Sequence, residues 1–116
     1  MLSEYKDLLE NNPISIATSD GERPNIAVAS DVAVVSDDQL LISHNEMVKT
    51  VANIMTHNKI CMTCFDKNWY GARIYGEAEY FNDGEWFERV KKLFTNKRTE
   101  PKGAILVTTG KIEKQS

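Results

Sequence analysis

The residues best placed to do chemistry are Lys49 and Thr50, which follow a polar stretch and open an apolar pattern of helical spacing. A lysine this early in a helix faces the positive end of the helix dipole, where acidic side chains are preferred. The pair makes more sense with an anion beside it, because a cation, a hydroxyl and the free N–H groups of a helix start favour a phosphate. A nucleotide-like cofactor is therefore the first hypothesis; the alternative is a solvated lysine and a surface threonine.

Two cysteines, Cys61 and Cys64, have the spacing of redox and zinc motifs, but their surroundings favour neither. They lie in a strand-like run, where residues three apart point to opposite faces of a sheet. A thioredoxin-type pair lies at a helix start, and a zinc ribbon needs a second cysteine pair. His57 could be a third ligand, but no fourth is evident. We therefore predict buried structural thiols and no metal site.

Two further polar side chains, His44 and Asp31, lie close in sequence to the Lys49 segment. His44 is the one titratable side chain there that could change its charge near neutral pH. It could bond to a cofactor ring, form a polar lid, or simply be exposed, and exposure is the simplest reading. Asp31 could contact a ligand or face solvent. No nucleophile or pair of carboxylates is evident.

Composition and charge narrow the class of protein. The chain has 116 residues, 41% of them hydrophobic and 27% charged, as in a single globular domain covering residues 1–116. A net charge of -3 argues against nucleic acid as a partner. The chain has no apolar run of 18 residues, and its N-terminus lacks an apolar core, so we expect neither a membrane span nor a secretion signal. The cytoplasm is the expected location.

The elements that must position these residues follow from hydrophobic periodicity and turn residues. We predict helices at 3–11, 45–56 and 84–96, strands at 14–18, 25–35, 39–43, 60–65, 70–81 and 104–109, and a charged C-terminal tail at 111–116. Asn45 is the predicted cap of the second helix. Six strands, mostly in hairpin order, indicate an antiparallel barrel with peripheral helices.

The strand at 25–35 has a nearly flat face, because Ala27, Ala29 and Ala33 alternate with larger aliphatic side chains. A flat face suits a planar ring, although tight packing in a barrel interior would produce the same pattern. Both interpretations stay open from the residues alone.

The order of these segments resembles the FMN-binding split-barrel proteins, the pyridoxamine 5′-phosphate oxidase-like group, and is most similar to its small FMN-binding members. The resemblance runs from about Ile14 to Gly110. It rests on Ala17-Thr18 before the turn at 20–24, on residues 49–54 leading to 59–62, and on residues 74–78. It implies a six-stranded antiparallel split β-barrel, mainly β, that forms a homodimer with FMN in a groove between subunits.

The resemblance also implies a set of cofactor contacts. They are the strand residues Val28, Ala29 and Ser30, the polar-edge residues Ser43, His44 and Asn45, and the phosphate residues Lys49 and Thr50. Trp69, with Tyr70, falls in a loop that would cover the flavin ring from the partner subunit. A surface aromatic pair, or a dimer contact without flavin, is the alternative for these two residues.

The chain departs from the true pyridoxamine 5′-phosphate oxidases in two places. Those enzymes carry a phosphate-binding arginine in the second long strand, where this chain has only Asp31 as a charged residue. They also carry a C-terminal segment rich in Arg and Trp, which has no counterpart in this sequence. Vitamin B6 oxidation is therefore not expected. We expect an FMN-dependent oxidoreductase acting on a small substrate or electron donor, because a flavin performs the electron chemistry itself. The alternatives are a non-catalytic FMN carrier and a binder of haem or deazaflavin.

Overall fold

One antiparallel sheet dominates the computed structural model, which describes residues 1–94 and 100–115. Its seven strands are β1 (Ile14–Ser19), β2 (Pro24–Ala29), β3 (Val32–Val34), β4 (Gln39–His44), β5 (Lys59–Phe65), β6 (Gly71–Phe81) and β7 (Gly103–Gln115). They are arranged in the order β2-β1-β5-β6-β7-β4-β3. The sheet curls into a split β-barrel, so the predicted fold class is confirmed.

The helices lie at the margins of this sheet. A 3-10 turn (Leu2–Tyr5) leads into α1 (Lys6–Asn11), and α2 (Val48–Thr56) and α3 (Gly84–Leu93) follow. Each of them is too short to cross a membrane. The predicted helix at 84–96 is confirmed up to Leu93, and its end near Asn96 lies outside the described residues.

The seventh strand arises because the predicted strand at 25–35 is two strands, β2 and β3, at opposite edges of the sheet. The break falls at Ser30 and Asp31. The Asp31 carbonyl accepts the Ser43 N–H at 2.9 Å, and the Asp31 carboxylate accepts the Asn45 amide at 3.4 Å. These bonds replace strand pairing at this point, so the prediction of six strands was wrong by one.

The predicted charged tail at 111–116 was also wrong, because residues 111–115 continue β7. They pair with the first half of β6, from Lys111 opposite Tyr75 to Gln115 opposite Gly71. Arg73 lies 3.5 Å from Glu113 across this pairing. The charged residues that predicted a solvated tail are therefore strand residues that pair across the sheet. Ser116 lies outside the described residues.

The core has two parts, on either side of the sheet. The larger fills the barrel interior and includes Ile14, Ile16, Met62, Ile74, Ile105 and Val107. The smaller lies between the outer face of β4 and β7 and the helix α3, and it contains Leu41, Val90, Phe94, Ala104 and Leu106. Burial of both faces fixes the register of β4 and β7, because a one-residue slip would exchange the two sets.

The edge strand β3 is capped by a side chain of α1. The Glu10 carboxylate accepts the Val34 N–H at 2.8 Å and is held by the Lys6 ammonium at 2.7 Å. A backbone donor at the sheet edge is thus satisfied by a side chain of the same chain.

Candidate functional site

The start of α2 presents a cation and two free backbone donors. Lys49 is the second residue of the helix and is exposed. The Val48 N–H bonds to the Glu46 carbonyl at 2.9 Å, and the first helical bond from a residue to the fourth before it runs from the Val51 N–H to the Met47 carbonyl at 3.0 Å. Within the described part of the chain, the N–H groups of Lys49 and Thr50 have no hydrogen-bond acceptor. An exposed ammonium and two N–H groups therefore lie where the sequence predicts a phosphate contact, and free donors at a helix start favour an anion.

Lys49 lies near Asp20, in the turn between β1 and β2. The Asp20 carboxylate accepts the N–H groups of Glu22 at 2.8 Å and Arg23 at 2.7 Å. These two bonds, with a smaller contribution from the Lys49 charge, lower the pKa of Asp20. An anion bound by Lys49 would therefore have a carboxylate as a neighbour. Sequence reasoning identified this segment only as a turn and missed Asp20, although its turn-forming composition was visible.

Side chains of α2 attach the helix to the first two strands. The Thr50 hydroxyl, 1% exposed, accepts the Asn25 amide of β2 at 3.3 Å. Further along the helix, the Asn53 amide donates to the Thr18 hydroxyl of β1 at 3.0 Å. The Thr50 side chain therefore holds the helix in place, and its backbone N–H is the group left free.

The loop before α2 is tied to the link between β2 and β3. The Ser43 hydroxyl donates to the Asn45 side-chain oxygen at 2.8 Å, and the Asn45 amide donates to Asp31. Asn45 is thus engaged away from the helix, and the predicted cap was wrong, because α2 begins after Met47. Asp31 is 9% exposed, which excludes the solvent-facing interpretation.

His44 is buried in the barrel wall, 7% exposed, so its interpretation as an exposed residue was wrong. Its Nδ1 lies 2.8 Å from the Tyr80 hydroxyl, and the two rings meet edge to face. Gly103 makes room for this pair, because a Cβ there would overlap the Tyr80 ring. Burial, and to a smaller extent the charge of Lys102, lower the pKa of His44. The ring is therefore neutral near neutral pH.

The predicted ring-binding strand divides its residues between the two faces of β2. Val28 points outward and is 62% exposed, Ala29 is buried in the core, and Ser30 is exposed in the link to β3. Strand register places β2 residues in rows across four strands. The outward-facing residues form two such rows, which we call the outer rows. One row contains Ile26, Ala17, Cys61 and Tyr75, and the other contains Val28, Ser15, Thr63 and Arg73. Ile26 is 71% and Tyr75 39% exposed, so the face has an apolar, open surface.

Trp69 lies at the other end of the barrel from Lys49. Its hairpin follows β5, whose Cys64 pairs with Ile14 at the start of β1, whereas Lys49 lies near Asp20, beyond the end of β1. From Ile14 to Ser19, β1 rises over five residue steps, so its two ends are about 17 Å apart. The structure thus brings together the loop and helix residues of the predicted site, but it does not bring Trp69 to them within one chain.

A groove of about 450 Å³ opens beside the outer rows, at the irregularity in β6–β7 pairing between Tyr75 and Gly76. Lys59, Tyr75 and Lys111 are among its lining residues, and none of the lining belongs to α2. The groove is therefore distinct from the helix start that carries Lys49.

The two cysteines point to opposite faces of the sheet, as the strand pattern predicted, but only Cys64 is buried, so the prediction of two buried thiols was wrong for Cys61. The Cys64 thiol is buried and donates to the Leu8 carbonyl at 3.6 Å, and its burial, with the nearby Asp66 charge, raises its pKa to about 11. Cys61 lies on the opposite face, in the outer rows, and is partly exposed. Cys64 is thus a structural thiol.

Comparisons with known proteins agree with this architecture. A model of the family described as pyridoxamine 5′-phosphate oxidase matches residues 1–116. The uncharacterized protein MJ0282 of Methanocaldococcus jannaschii is 28% identical over 117 residues, covering 97% of this chain and 78% of that protein.

Two solved structures are similar in both fold and sequence. HupZ of Group A Streptococcus has a TM-score of 0.90 at 27% identity, covering 98% of this chain and 93% of that chain. An FMN-binding protein from Syntrophomonas wolfei has a TM-score of 0.83 at 25% identity, covering 99% of this chain and 86% of that chain.

Proposed function

From the premise that this chain belongs to the pyridoxamine 5′-phosphate oxidase family, we propose that it binds FMN and acts as an oxidoreductase on a small substrate or electron donor. The observation that carries the proposal is the start of α2, where the exposed Lys49 ammonium adjoins the free N–H groups of Lys49 and Thr50. A phosphate suits this combination, because an anion satisfies donors that the helix leaves open. The similarity to an FMN-binding protein supports the same choice of cofactor.

The chain's own residues would bind and orient the flavin. Lys49 and the two N–H groups would hold the phosphate, and the exposed Val28 of β2 and Ser30 of the β2–β3 link would lie along the rest of the molecule. Asp31, Ser43 and Asn45 would fix the loop between these two surfaces, since their bonds tie it to the β2–β3 link. The flavin supplies the electron-transfer chemistry when bound, so no catalytic side chain is required for it.

A second copy of the chain would complete the site. The outer rows leave an apolar face open, with Ile26 71% and Val28 62% exposed, and such a face is typical of a protein–protein contact. Trp69, 72% exposed, lies about 17 Å along β1 from the Lys49 end. A homodimer in which Trp69 of one copy approaches the flavin held by the other would bring the two together.

The proposed location is the cytoplasm. Cys61 and Cys64 are both free thiols, which suits a reducing compartment.

The phosphate contact is tested by titrating the purified protein with FMN and, separately, with riboflavin, which lacks the phosphate. Lys49→Met should weaken FMN binding by about 1.5–3 kcal/mol, the range for a hydrogen bond to a charged group, or roughly ten- to hundredfold. Riboflavin binding should change little. Lys59→Met, which removes another exposed lysine at the start of β5, is the matched control. An unchanged FMN titration of the Lys49 variant would remove the phosphate assignment.

The oxidoreductase assignment needs a separate measurement, because binding does not establish turnover. Steady-state oxidation of NADH or NADPH by the FMN-loaded protein is the first assay, with oxygen or a small quinone as acceptor. Sustained turnover supports an enzyme. Flavin binding without turnover, for any reductant tried, would leave a non-catalytic FMN carrier.

The dimer is tested by sedimentation velocity. Ile26→Glu, in the outer rows, should convert the dimer to a monomer and weaken FMN binding in parallel. Met55→Glu is the matched control, because Met55 is equally exposed at 71% but lies on α2, outside the outer rows. A wild-type protein that sediments as a monomer at micromolar concentration would contradict this part of the proposal.

A further inference from the structure

Trp69 has an unusual backbone conformation. Its φ is 63°, and it is the one non-glycine residue with a positive φ among residues 1–94 and 100–115. Glycine or asparagine normally occupies this left-handed region, because a larger side chain there is strained. The side chain is nevertheless 72% exposed, so burial of the indole offsets little of this strain.

The carboxylate of Asp66 closes the hairpin around Trp69. It accepts the N–H groups of Asn68 at 2.8 Å and of Tyr70 at 3.1 Å, on either side of the tryptophan. The backbone adds two bonds, from the Asp66 N–H to the Tyr70 carbonyl at 2.9 Å and from the Trp69 N–H to the Asp66 carbonyl at 3.1 Å. These four bonds fix the backbone on both sides of Trp69 and hold it left-handed.

Phe65 supports the indole from within the hairpin. The two ring centroids are 5.8 Å apart and the ring planes are inclined at 63°, an edge-to-face contact. Gly71 is needed for this arrangement, since a Cβ at this position would overlap the Phe65 ring. Phe65 is the one ring that contacts Trp69 within the described part of the chain, and the rest of the indole surface is left open.

We propose that Asp66 is a positioning residue, which holds Trp69 in the left-handed conformation so that its indole contacts the flavin ring bound by a second copy. The inference rests on the proposed function. A strained residue that a turn holds in place and leaves exposed indicates a role outside its own chain. A planar, electron-rich indole matches a planar aromatic ring, which it contacts in an offset stack. Trp69 and Lys49 of one chain lie at opposite ends of β1, and the second copy proposed above would bring its Trp69 to the flavin.

The experiment is a double-mutant cycle on the full chain, read out as FMN affinity and thermal midpoint. Trp69→Gly should weaken FMN binding about fivefold, as expected for loss of an aromatic stack. It should also raise the thermal midpoint by about 3 °C, because glycine relieves the backbone strain. Asp66→Ala should weaken FMN binding about threefold in the wild-type background and have no effect on it in the Trp69→Gly background.

Asp66→Asn is the conservative control, because asparagine supplies the same acceptor to the two N–H groups. It should retain wild-type affinity. An equal loss from Asp66→Ala in both backgrounds would mean that Asp66 acts through the fold alone, and unchanged FMN affinity in Trp69→Gly would remove the ring contact; either result overturns the inference while FMN binding by the wild type stands. A wild-type protein that binds no FMN overturns the proposed function, and the inference with it.

Discussion

In two hairpins of this protein an aspartate side chain accepts backbone N–H groups, but the residue with positive φ differs in its type and in its place in the turn. In the β1–β2 hairpin the Asp20 carboxylate accepts two backbone N–H groups, and in the β5–β6 hairpin Asp66 does the same. The first places Gly21 at a φ of 97°, and the second places Trp69 at 63°. An aspartate-closed turn therefore does not require a bulky residue in this conformation.

The difference follows the position of each hairpin relative to the proposed site. The first hairpin lies beside Lys49 and uses the residue with the lowest conformational cost at positive φ. The second presents an aromatic side chain from the opposite end of β1 and accepts the cost of a left-handed tryptophan. Asp20 accepts from the second and third residues after it, whereas Asp66 accepts from the second and fourth, and the longer turn places Trp69 between the two bonded N–H groups.

The largest expected effect comes from filling the space beneath the tryptophan hairpin. Gly71→Ala would place a Cβ against the Phe65 ring and the Cys64 carbonyl oxygen. Because one of these atoms belongs to the backbone, we expect the free energy of unfolding to fall by about 2–3 kcal/mol, the upper part of the range for overpacking. Chemical denaturation measures this loss. Gly110→Ala is the matched control, because a Cβ there would lie 3.7 Å from the Tyr75 carbonyl oxygen, at an ordinary contact distance, and should lower the free energy of unfolding less. Gly84 cannot serve as a control, because its φ is positive and alanine would be strained there.

Gly21→Ala tests the relaxed hairpin directly. Alanine would be strained at a φ of 97°, and its Cβ would lie 3.0 Å from the His57 Nε2. We expect a loss of about 1–2 kcal/mol in the free energy of unfolding. Trp69→Gly should change stability in the opposite direction. If both glycine-to-alanine and tryptophan-to-glycine changes lowered the thermal midpoint, the contrast between a relaxed and a strained hairpin would be lost.

Asp20→Asn should alter the anion site without disturbing its turn, because asparagine keeps the oxygen that accepts the two N–H groups. Removing the negative charge near Lys49 should strengthen FMN binding about twofold at low ionic strength, and added salt should abolish the gain since the charges are exposed. Isothermal titration at two salt concentrations measures it. Asp66→Asn, which removes a charge from the other hairpin, should give no such salt-dependent gain.

Asp20→Asn should also change how the stability of the fold depends on pH, and this is the smallest of the expected effects. The two N–H bonds, and then Lys49, lower the pKa of Asp20 in the folded protein. A lowered pKa means that the stabilisation is present above the unfolded value, near 3.9, and is lost as the pH falls through the folded value. The thermal midpoints of wild type and Asp20→Asn should therefore converge below about pH 4. A difference that stayed constant from pH 7 to pH 3 would contradict the assignment.

Much of the fold could be predicted from local patterns, because strand alternation and turn residues act over a few positions. The break between β2 and β3 could not. Residues 25–35 have the composition of one strand, and the interruption depends on Asp31 meeting Ser43 and Asn45 from a segment twelve or more residues away. The continuation of β7 past Gly110 was missed for a related reason, since its charged residues pair with β6 across the sheet.

The candidate site was predictable where its chemistry is local to one segment. Lys49 and the helix start could be identified from residue order, although Asn45 was misassigned as the cap because its amide is used by tertiary partners. The burial of His44 against Tyr80 depends on Gly103, more than fifty residues away. The nearness of Asp20 to Lys49 likewise follows from packing of α2 on β1 and β2. The left-handed backbone of Trp69 could not be foreseen, because tryptophan is disfavoured there.

The carboxylate of Glu10 has a consequence for behaviour in concentrated solution. By accepting the Val34 N–H, it occupies a donor that the outer side of β3 would otherwise present to a strand of another molecule. Exposed strand edges are templates for uncontrolled intermolecular pairing, which leads to aggregation. The bond from α1 therefore disfavours fibril-like growth from this edge.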